Sequence, residues 1–100
     1  MVVVSIKKDE SKISSITMSG HACFAEYGQD IVCAGISSII FGGLNALVEF
    51  GLDESKIIVG SEISIDITDS DKQIDIVAQT IIIQLQTIKE SYPDYLEINY

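Results

Sequence analysis

Arginine and tryptophan are absent from this chain of 100 residues, and histidine and proline occur once each. With no arginine, and six lysines against fifteen acids for a formal net charge of -9, there is no basic cluster to neutralise phosphates, which argues against nucleic acid as a direct partner. An acidic excess of this size either solvates the surface or steers a basic partner towards it. The scarcity of proline, with seven glycines and 47% apolar residues, excludes a disordered chain. One hundred residues bury one hydrophobic core and not two, so residues 1–100 read as a single domain.

Cysteine is scarce too. Two thiols without a secretory leader read as reduced cysteines of a cytoplasmic protein, since in MVVVSIKKDE the charges follow a short apolar run, the reverse of a signal peptide. One long stretch lacks charge altogether. Residues 31–48 reach the length of a membrane span, but they contain Ser37, Ser38, Asn45 and three glycines, and Asp30 and Glu49 flank them with no lysine nearby to set an orientation. The expected partners therefore include neither a membrane nor nucleic acid.

What is present reads as an α+β fold. Residues 2–7 (VVVSIK) and 12–18 (KISSITM) are β-branched and partly alternating around the polar tetrad KDES, which predicts a hairpin. From Ile31 to Phe50, Val32, Ile36, Ile39, Ile40, Leu44 and Leu47 recur at helical spacing, with Asp30 as the expected N-cap and Gly51 as a left-handed stop. Gly42 and Gly43 each cost such a helix roughly 1 kcal/mol against alanine, so they predict a close backbone approach or a bend. Residues 56–60 and 62–68 are two further strands. A second helix begins at a capping box of Ser70 and Gln73, carries Ile74, Val77, Ile81, Leu85 and Ile88 on one face, and ends before Pro93. With a last strand at 95–99 the order is ββαββαβ, two helices packed on a mixed β-sheet.

The reactive side chains gather in one segment, GHACFAEYGQDIVCAGIS at residues 20–37, which holds His21, Cys23 and Cys33. A helix capped by Asp30 places Cys33 in its first turn, where free N–H groups and the helix dipole favour a thiolate. His21, after the first hairpin and before a loop bounded by Gly20 and Gly28, is a candidate partner for that thiol, and Ser37 shares the face of Cys33 one turn on. Three plainer readings stand beside this one. A helical cysteine is commonly a small buried hydrophobe; a lone histidine is commonly structural; and His21, Cys23 and Cys33 would make three zinc ligands with no fourth in evidence. On the residues alone no metal and no cofactor is expected.

The run GHA, a short loop, then G-x-DIVCA and a serine one turn later resembles the signature of the ribosomal-processing cysteine protease family. The resemblance implies a small α/β fold and an endopeptidase that removes the N-terminal extension of a bacterial large-subunit ribosomal protein. It implies His21 and Cys33 as the catalytic pair, Asp30 at the motif's acidic position, Cys23 in a variable loop, and a homodimer. Gly35 departs from the alanine usual in that family. A lid over residues 22–29, hinged at Gly20 and Gly28, would complete the site around the peptide, with Ser37 and Asp30 in support. The alternative is a noncatalytic acidic module that binds basic ribosomal or assembly proteins.

Overall fold

The computed structural model describes the backbone of residues 1–20 and 29–100, and the side chains of all of these except Gln29 and Asp30. Strands β1 (Val2–Asp9) and β2 (Lys12–Ser19) form the expected antiparallel hairpin, but the polar tetrad shrinks to a two-residue turn. Glu10 and Ser11 hold φ at 52° and 67°, the pair of positive values that a type I′ turn needs to follow the strands' twist. β2 carries a bulge. Lys7 faces Ser15 and Lys8 faces Ile13, so Ser14 is the extra residue; its hydroxyl donates to the Lys7 carbonyl at 3.2 Å. Ile13 and Ile16 are three apart and would otherwise lie on opposite faces. The bulge resets the phase, and both are buried.

The five strands run in the order β3-β4-β2-β1-β5, with β3 (Ile57–Val59), β4 (Ile63–Asp66) and β5 (Leu96–Asn99). β5 lies parallel to β1 and every other pairing is antiparallel, so the sheet is mixed. Buried positions alternate along the strands: Val2, Val4 and Ile6; Ile63 and Ile65 in β4, with Ile67 just beyond; Leu96 and Ile98. One face of the sheet is therefore apolar, and it joins a single core with buried residues of two helices, α1 (Gln29–Glu49) and α2 (Lys72–Ser91).

The long uncharged stretch belongs to α1, whose Val32, Ile36, Ile40, Leu44 and Leu47 enter that core. By length and composition this helix passes for a membrane span; here those five residues share a core with the sheet and α2, while Ile31 and Phe41 remain exposed. It stops as expected. Gly51 adopts φ 116°, Leu52 N–H donates to Leu47 C=O at 2.9 Å and Gly51 N–H to Val48 C=O at 3.1 Å, a Schellman arrangement. The adjacent glycines Gly42 and Gly43 differ. A Cβ on Gly43 would lie 2.7 Å from Cγ1 of Ile81 on α2, whereas one on Gly42 would meet nothing within 4 Å. Close approach explains Gly43 alone; the structure offers no reason for Gly42.

Two caps move from their expected places. Asp71, not Ser70, caps α2, its carboxylate accepting from Ile74 N–H at 3.0 Å. Its own extended backbone (φ -78°, ψ 177°) makes Asp71 the last non-helical residue, so Ser70 lies one position too early to reach the orphan amides. Asp30 is the second residue of α1 and so is not its N-cap. What caps α1 lies outside the described residues.

Candidate active site

β2 ends at Ser19 and the chain turns at Gly20, where φ is 71° and a Cβ would overlap the carbonyl oxygen of Met1 at the start of β1. Only glycine fits a position that is both left-handed and this close to another backbone. The adjoining His21, with Cys23 and Gly28, lies outside the described residues, as does the expected lid apart from Gln29, which opens α1.

Cys33 is the fifth residue of α1, two positions later than a cap at Asp30 would make it. The first four amides of a helix are the unsatisfied ones, so its own N–H is not among them. Helical side chains nevertheless lean towards the N-terminus, which brings the thiol over the first turn, where the dipole still favours negative charge. Cys33 is buried, 4% exposed, between the core residues Val32 and Ile36.

Ser37 follows one turn later and lines a cleft of about 220 Å³ with Met18, Phe41, Val59, Gly60, Ser61 and Ile63. Of these only Ser37 came from the sequence. Phe41 was within reach, because 33, 37 and 41 step by four along one helix face. Val59, Gly60 and Ser61 carry no local signal and arrive through the pairing of β3 with β4. The walls are apolar, and the polar side chains are two hydroxyls, so the cleft suits an uncharged apolar group. Among the described residues no three His, Cys, Asp or Glu side chains gather as metal ligands; a site built on His21 and Cys23 lies outside them.

Strand register also places the charges. Lys7, Lys8 and Lys12 sit at the hairpin tip, beside Asp66 and the start of α2, where Lys12 Nζ donates to Ser70 C=O at 3.1 Å. The opposite end carries Gly20, the start of α1 and the β3–β4 turn. There the described residues include Glu62, Glu90 and Asp94 against Lys89.

The sequence profile of cysteine protease Prp matches residues 1–97. This chain belongs to the Prp family. A ribosomal processing cysteine protease Prp from Staphylococcus aureus is 36% identical over 105 residues, covering 100% of this chain and 99% of the relative. One from Bacillus subtilis is 32% identical over 108 residues, covering 98% and 96%. The crystal structure of an S. aureus Prp with a covalently linked product peptide superposes with a TM-score of 0.80 at 35% identity, over 100% of this chain and 99% of that one. As a member of the Prp family the chain is a cysteine protease, and its two helices on a mixed five-stranded sheet are the Prp fold.

Proposed function

We propose that this protease removes the N-terminal extension of a large-subunit ribosomal protein, with Cys33 as nucleophile and His21 as its proton partner. Whole-chain similarity to proteases named for ribosomal processing supports the substrate. The observation that carries the site is Cys33, near the start of α1 and one turn from a cleft lined by Ser37.

The Cys33 thiolate adds to the scissile carbonyl carbon, its proton having passed to His21. The carbonyl oxygen becomes an oxyanion, held by unsatisfied backbone N–H groups of the first turn of α1. His21 then protonates the leaving amine, the C–N bond breaks, and the extension remains as a thioester on Cys33. Water activated by His21 hydrolyses the thioester, releasing the extension as a carboxylic acid and restoring the thiol. Asp30 orients His21, Ser37 contacts substrate, and Gly20 and Gly28 bound the segment between. A cytoplasmic homodimer completes the reading. Lysine-rich termini of ribosomal proteins are drawn to the acidic molecule, most of whose lysines lie at the far end.

Incubating the chain with a peptide that spans the extension of its host's ribosomal protein, followed by mass spectrometry, tests this reading. Two fragments that sum to the peptide plus one water are expected. An intact peptide at enzyme concentrations equal to its own would leave the noncatalytic acidic module as the better account.

A further inference from the structure

We propose that the substrate is held as an added β-strand on the free edge of β3, pairing with Val59, so that every second substrate side chain faces the apolar cleft. The proposal rests on the protease reading above and specifies how that site grips its peptide.

The hydrogen-bond phase of the sheet carries the argument. In an antiparallel pair each residue either exchanges both backbone groups with its opposite or turns both away, in alternation. Ile67 N–H donates to Ser14 C=O at 2.9 Å, which makes Ile63, Ile65 and Ile67 the residues bonded towards β2. Glu62 and Ser64 then bond towards β3, in agreement with Gly60 N–H donating to Glu62 C=O at 3.0 Å. On β3 this assigns Ile58, opposite Ser64, to the interior ladder. Ile57 and Val59 therefore direct their backbone groups to the outer edge. The Ile57 N–H is taken by Glu54 C=O, which leaves Val59 N–H, Val59 C=O and Ile57 C=O.

Side chains follow the same register. Val59 is opposite Ile63, which is buried on the helix side, so Val59 lies on that side too and shares the cleft with Phe41 and Ser37. β3 ends the sheet, and Ile58 and Val59 are 66% and 57% exposed. An exposed edge of β-branched residues is a template for another strand. Three residues bury far less than the ~1,200 Å² that a stable contact between two copies needs. An extended substrate needs only to be positioned, and this edge is continuous with the cleft beside Cys33.

The test uses the peptide above and a set in which each backbone nitrogen in turn is methylated. Strand addition predicts that methylation raises KM roughly five- to tenfold at alternate positions on one side of the scissile bond, with kcat held and the intervening positions silent. On the protein, Val59→Pro removes the outward N–H at an edge where proline is tolerated and should raise KM several-fold above that of Val59→Thr, which alters the same side chain in the cleft but keeps the N–H. Uniform tolerance of methylation, or equal KM for Val59→Pro and Val59→Thr with both folded by circular dichroism, overturns strand addition while leaving the protease intact. An uncleaved parent peptide overturns both.

Discussion

At the scale of the residue, Cys23 and Cys33 lie ten positions apart with opposite assignments. Cys33 belongs to α1 beside the cleft, and Cys23 belongs to the segment between Gly20 and the helix. Cys23→Ser is expected to keep kcat/KM within about threefold of wild type, since it subtracts nothing from the proposed nucleophile or its proton partner; loss of activity together with loss of bound zinc in metal analysis would favour the ligand reading instead. Gly20 has a sharper expectation. Gly20→Ala forces a Cβ onto the Met1 carbonyl in a left-handed conformation, so thermal unfolding should register a loss of about 1–3 kcal/mol, and unchanged stability would contradict the geometry. The GHA and DIVCA motifs were legible through their resemblance to the family's signature, since spacing alone left the cysteine and the histidine open to plainer roles. The position of Cys33 within its helix was not, because Asp30 is as good an N-cap in composition as it is a second helical residue, and helix ends are set by backbone geometry that composition does not encode.

At the scale of the element, periodicity located both helices and the strands that bury one face, whose apolar residues must recur at 3.6 or at two, whereas β3, with none of its three residues buried, was legible only as a short apolar run. The bulge at Ser14 hid behind the double serine of KISSITM, where the phase slips between Ile13 and Ile16. The walls of the cleft hid because β3 meets α1 only after folding. The adjacent glycines of α1, Gly42 and Gly43, provide a matched test. Gly42→Ala should stabilise the fold by up to about 1 kcal/mol, as a helix-interior glycine replaced in open space. Gly43→Ala should destabilise it by about 1–3 kcal/mol through overlap with Ile81. Equal shifts in melting temperature would mean that the two helices are not so close at Gly43. The caps divide in the same way: Asp71→Ala should cost about 1 kcal/mol, and Ser70→Ala next to nothing.

At the scale of the whole molecule, charge governs approach and acid response. A net charge of -9, with only Lys89 among the lysines placed by α2 near the site's end, should make the KM for a lysine-rich peptide rise with salt, because screening acts over about 8 Å at physiological ionic strength. A KM that ignores salt would remove steering from the account. Asp53 and Asp66 have carboxyls below their ordinary value of 3.8, chiefly because backbone N–H groups of Ser55 and Thr68 donate to them. Carboxyls depressed on folding add stability that is complete above the unfolded value and fades as pH falls through the folded one. Both are exposed, so the expected change is a small loss of melting temperature confined to pH below about 4.

The central claim is that one thiol near the start of α1 performs the cleavage. The measurement that bears on it most directly is the rate at which Cys33→Ala cuts the extension peptide, with its fold confirmed by circular dichroism and wild type and Cys23→Ser run alongside. The account predicts two fragments from wild type and Cys23→Ser and none above background from a folded Cys33→Ala. Cleavage by Cys33→Ala at a rate near that of wild type would contradict it.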